Sequence, residues 1–137
     1  KLTDLKFLLT LTNNLIVSYM LYNLTGSDRL SKELHYISEK INKSFFNINL
    51  DYRFNVIGGA NYYYFRSDYY NFALQGIISI IFYFNGEHAD YHKATDTLDK
   101  IDYTLMEKRT KLIFATAWQI ANQEHSLLIN QDNKLLN

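Results

Sequence analysis

Cysteine and proline are both missing from the 137 residues. Without cysteine there is no disulfide framework, no thiolate zinc site and no cysteine nucleophile. Average usage of about 5% would place roughly seven prolines in a chain of this length. The chain is instead rich in Asn, Ile, Tyr, Phe and Lys, whose codons are AT-rich, so the lack of proline reads as genomic coding bias. Glycine is scarce as well. The five present are scattered, and none lies in a G-x-x-x-x-G-K phosphate-binding pattern. No charge of one sign dominates: 14 basic residues balance 14 acidic ones. A broad nucleic-acid footprint and a polybasic membrane anchor are therefore excluded. No apolar run approaches the roughly 18 residues that a transmembrane helix needs. No Gly-x-Ser-x-Gly elbow is present, which removes the usual serine hydrolase arrangement.

What remains is 47% hydrophobic and 20% charged, the composition of one ordinary folded domain. The first residue is Lys1. The chain is accordingly expected to be processed or part of a longer one, with any signal peptide upstream.

Residues 15–24 are β-branched and aromatic and predict a strand. Gly26-Ser27-Asp28 then breaks the chain, with Ser27 or Asp28 as the expected helix cap. Leu30, Leu34, Ile37 and Ile41 recur at helical spacing and predict a helix over 29–43. Phe46, Ile48, Leu50, Tyr52 and Phe54 alternate strictly, which predicts a half-buried strand over 46–54. A short helix is expected at 69–75, closed by Gly76. The unbroken apolar run 77–84, IISIIFYF, reads as a central strand buried on both faces. A final helix is expected from Asp102 to about residue 124, with Leu105, Leu112, Ile113, Trp118 and Ile120 as its apolar stripe. Residues 125–137 form a polar tail expected to fray. Strands interleaved with helices give an α/β fold.

Chemistry gathers in the loop 85–97, NGEHADYHKATDT, directly after the strand 77–84. Ligand sites of open α/β sheets form at the carboxyl ends of strands. Glu87, His88, Asp90, His92 and Asp96 supply imidazole and carboxylate, the ligand types zinc takes. A solvated polar loop accounts for the same composition. The aromatic tract Tyr62–Phe65 reads as packing, because the neutral chain does not suit base stacking.

The spelling of this region resembles that of the co-catalytic dizinc exopeptidases. These are the bacterial leucyl-type aminopeptidases, with glutamate carboxypeptidase and glutaminyl cyclase as relatives. The resemblance rests on Ser67-Asp68-Tyr69, Gly76-Ile77-Ile78, Tyr91-His92 and Asp96-Thr97, in that order, with a closing helix ending in AWQIAN. It extends more weakly to residues 26–35, about 100 residues in all.

The resemblance implies an α/β domain of three layers, helix/sheet/helix, around a mostly parallel sheet. Residues 1–124 would form the C-terminal portion of one catalytic domain. It implies a zinc-dependent aminopeptidase, a hydrolase using two zinc ions on peptide substrates with a free N-terminus. His92 matches a zinc ligand, and Asp4 a further one. Tyr91 matches the donor that stabilises the oxyanion. Asp68 matches a group that orients the site or relays protons, and Asp96 is either structural in the same loop or a support for the site groups. Export, to the periplasm or outside the cell, is expected from the resemblance alone.

The departures are specific. Tyr69 stands where the family has the histidine of Ser-Asp-His. Asn71, Ile78 and Ala94 replace usual prolines. The upstream His-x-Asp and the Glu-Glu pair carrying the general base are absent. No Glu-Glu occurs in the chain, and His88-Ala89-Asp90 lies at the wrong place in the order. The chain is therefore expected to be the C-terminal half of an enzyme, inactive alone. Its strand 77–84 would then lie open as an aggregation-prone edge. A metal-free receptor or interaction domain and a glutaminyl cyclase-like transferase are the alternatives.

Overall fold

The computed structural model describes residues 7–11, 22–53, 55, 65, 69–84 and 88–132. Four strands make one sheet: β1 (Phe7–Leu11), β2 (Tyr22–Thr25), β3 (Leu50–Asp51) and β4 (Ile78–Phe84), in the order β1-β4-β2-β3. β1 runs parallel to β4 with Phe7 opposite Ile78 and Leu11 opposite Phe82. β2 is parallel to β3 and antiparallel to β4. The run 77–84 does become a central strand. It is paired on both sides, so the expected open apolar edge is corrected. Among the described residues the edge strands are β1 and the two-residue β3.

Helix α1 spans Lys32–Ile41. Its cap is Ser31, not Ser27 or Asp28: the Ser31 hydroxyl accepts from Leu34 N at 3.2 Å. Arg29 N closes a turn onto Gly26 O, which holds residues 27–29 outside the helix. Ser27 is fully buried and its hydroxyl lies 2.9 Å from His35 Nδ1. Leu34, Ser38 and Ile41 form the buried face of α1.

The predicted strand over 46–54 is corrected to β3 alone. A π-helical turn, Asn42–Phe46, continues α1 instead. The buried Asn42 amide then takes both backbone groups of Ile48, donating to its carbonyl at 2.7 Å and accepting from its N–H at 2.9 Å. A residue whose backbone is consumed by a side chain cannot join a ladder. The alternation still places side chains as expected: Ile48 is buried, and Phe46, Leu50 and Tyr52 pack against the core. Tyr52 donates to Glu39. Burial, and then this bond, push its hydroxyl well above the usual tyrosine range.

Helix α2 is Tyr69–Ala73 and packs against β4 and β1. Its chain reverses through Gly76 at φ 72°, the left-handed value that favours glycine, with Ile77 N bonded to Phe72 O. Helix α3 covers Tyr103–Asn122, and Asp102 caps it as expected, accepting from Leu105 N at 2.9 Å. Its buried face is Arg109, Leu112, Ile113, Thr116 and Ile120. Trp118 is corrected from the stripe to the open face. It is 62% exposed and stacked on Phe114 at 6.0 Å. At 100° per residue, Trp118 points away from the Leu112–Thr116–Ile120 line.

The core joins Leu30, Leu34, Ile41, Ile48, Ala73, Ile78, Leu112, Ile113 and Ile120. Burying each large aliphatic side chain contributes about 1.5–3 kcal/mol. The frayed tail is also corrected over its described part, residues 125–132. Asn130 N donates to Leu30 O at 2.8 Å, and the Asn130 side chain bonds Lys32 N and Asp28 O at 2.9 Å each. Glu33 accepts from Leu128 N at 2.9 Å and lies 2.8 Å from His125 Nε2. These contacts strap the segment across the start of α1.

Candidate active-site loop

Four residues after the end of β4, residues 88–100 fold into consecutive turns. Tyr91 N donates to His88 O at 3.0 Å, Lys93 N to Asp90 O at 2.9 Å and Asp96 N to Lys93 O at 3.1 Å. A short 3₁₀ turn, Leu98–Lys100, leads to the cap of α3. At its C-terminal end the loop thus runs directly into regular structure.

Tyr91 and His92 sit near its middle. His92 is exposed and has φ 57°, in the left-handed region. For a residue with a Cβ this costs about 1–2 kcal/mol and persists only where the surroundings impose it. Two side-chain pairs flank it here. On one side Lys100 Nζ donates to Asp90 Oδ2 at 2.7 Å and to Thr95 O at 2.6 Å. The Lys100 ammonium, and then the Thr95 side chain, hold the Asp90 carboxyl below the usual carboxylate range. Opposite, the His88 side chain is only 5% exposed, with Nε2 4.0 Å from Asp96 Oδ2. Among the described residues, neither ring nitrogen of His88 has a hydrogen-bond partner, nor does Asp96 Oδ1. The rings are continuous: His88 meets Tyr91 at 5.8 Å and 77°, and Tyr91 meets His92 at 4.0 Å and 53°.

The structure therefore brings Tyr91 and His92 together, with Asp96 in the same loop. Asp68 and Asp4 lie outside the described residues. Sequence reasoning grouped His88 with the zinc-type side chains of a loop that a solvated polar segment would equally explain. The structure buries its side chain beside Asp96, which no local spacing in a turn-rich loop indicates. Among the described residues no three metal-binding side chains converge. They do not by themselves complete a zinc site, and no catalytic step is derived through a metal.

A family model, not the geometry of the loop, sets the class of the chain, which is that of a peptidase. The chain matches the model of peptidase family M28 over residues 14–117 and belongs to that family. Families of this kind are generally zinc-dependent. The matched stretch contains Asp68, Tyr91, His92 and Asp96, while Asp4 falls before it. No curated protein and no solved structure matches the chain.

Proposed function

We propose that the chain is the C-terminal part of a zinc aminopeptidase domain, contributing His92 as a metal ligand and Tyr91 as the oxyanion donor. The observation that carries this reading is the exposed, left-handed His92 with its ring 4.0 Å from that of Tyr91, within the segment matched by the peptidase family. Backbone strain in an exposed histidine is retained where a site requires that orientation. An imidazole offered to solvent suits zinc, and a phenol beside it suits a developing oxyanion. Zinc, when bound, supplies a polarised water and a Lewis acid. Asp68 is proposed to orient the site, and Asp4 to add a ligand. The general base is proposed to come from a Glu-Glu motif elsewhere in a longer parent, because this chain has none. Exported location is proposed from the same kinship.

A second reading, a metal-free interaction domain on the same fold, is favoured by Tyr69 at the histidine position and by the missing Glu-Glu pair. Calorimetric titration of the chain with Zn²⁺, paired with hydrolysis of an aminoacyl chromogenic amide, separates the two. Weak Zn²⁺ binding lost in His92→Ala, with no turnover, supports the incomplete enzyme. Absence of Zn²⁺ binding supports the interaction domain. Robust turnover by the chain alone overturns the incomplete-enzyme reading.

A further inference from the structure

We infer that His88, paired with Asp96, is a positioning residue that sets Tyr91 and through it the His92 imidazole. The inference rests on the reading of Tyr91-His92 as the functional pair. Burying a polar group without a hydrogen bond costs about 1–3 kcal/mol. His88 buries two such nitrogens and Asp96 adds an oxygen. A phenylalanine or leucine would fill the same space without that cost, so packing alone does not account for an imidazole here. Its Nε2 lies 4.0 Å from Asp96 Oδ2, which places the carboxylate beside the ring edge. The His88 ring stands at 77° to the Tyr91 ring, an edge-to-face contact that restricts Tyr91 in turn. Tyr91 lies 4.0 Å from the His92 ring. The turn enforces the sequence of contacts, since Tyr91 N is bonded to His88 O. Asp96–His88–Tyr91–His92 is thus one mechanical chain that ends on the proposed ligand. Groups that orient a metal-binding imidazole change metal affinity about 10–100-fold when removed.

The test uses the full chain with His88→Phe, which keeps a ring and removes the nitrogens, and Asp96→Asn, at a partly exposed position. The readouts are the ring resonances of His92, the backbone coupling that reports its φ, and Zn²⁺ affinity by calorimetry. Both variants are expected to move the His92 ring resonances toward those of an unstructured histidine while distant amide signals stay native. Zn²⁺ affinity is expected to fall roughly tenfold or more. Unmoved His92 resonances in both variants overturn the inference, because ring packing is then sufficient. If His88→Phe does not fold, Asp96→Asn alone decides by the same criterion. Loss of native His92 resonances in a chain that never binds Zn²⁺ upholds the positioning role and overturns the zinc reading. Zn²⁺ binding with unmoved resonances does the reverse.

Discussion

Glycine at position 92 should make the chain more stable than alanine there, against the usual ranking of the two residues. His92 is exposed, so truncating its side chain removes little buried contact. What dominates is the backbone at φ 57°. A Cβ in the left-handed region costs about 1–2 kcal/mol, and alanine keeps that cost while glycine removes it. The greater freedom of glycine in the unfolded chain offsets about 0.5–1 kcal/mol. The expected advantage of His92→Gly over His92→Ala is therefore about 1 kcal/mol, or roughly 3–5 °C in Tm for a domain of this size. Thermal unfolding followed by circular dichroism, under identical conditions for both variants, measures it. Both variants lose the imidazole, so any Zn²⁺ binding disappears from each alike, and the stability gap isolates the backbone term. An alanine variant as stable as the glycine variant, or more so, refutes the claim that the loop holds His92 under strain.

Other outcomes follow from contacts elsewhere. Asn42→Ala removes the side chain serving both buried backbone groups of Ile48, and two unmet groups at about 1–3 kcal/mol each should lower the urea midpoint markedly. A fall under 1 kcal/mol would show that the turn re-forms its bonds without Asn42. Glu33→Ala should free residues 125–132, because it deletes the acceptor for Leu128 N and the partner of His125. Faster amide exchange and proteolytic cleavage confined to that segment, with global stability changed by less than about 1 kcal/mol, is the expected pattern. Lys100→Met should raise the Asp90 carboxyl toward the ordinary value of 3.8. A depressed carboxyl contributes stability above its unfolded pKa, and that contribution is lost as pH falls through the folded value. The wild-type chain should therefore lose this contribution below about pH 4, and the variant should lack the share that Lys100 supplies. An Asp90 titration by NMR that is identical in both chains would remove Lys100 as the cause.

The elements legible in advance were those specified by local chemistry. The apolar run 77–84 marked β4, Asp102 marked the cap of α3, and Gly76 marked the reversal after α2. The alternation of Phe46, Ile48, Leu50 and Tyr52 identified the buried side correctly but not the backbone state. Periodicity reports which side chains face the core, whereas a ladder requires free backbone groups, and Asn42 had taken those of Ile48. Trp118 misled for a related reason. Hydrophobicity alone placed it on the stripe, while the angular position of α3 against α1 selected Thr116 and Arg109 for burial instead.

The site divides in the same way. Residue types and their order determined the loop, the Tyr91-His92 pair and the kinship with a peptidase family, because these depend on spelling along the chain. The burial of His88 beside Asp96, the left-handed turn at His92 and the strap of residues 125–132 across α1 were decided only by tertiary structure. Each depends on groups that are distant in sequence or on a backbone angle imposed from outside the residue. No local propensity carries that information.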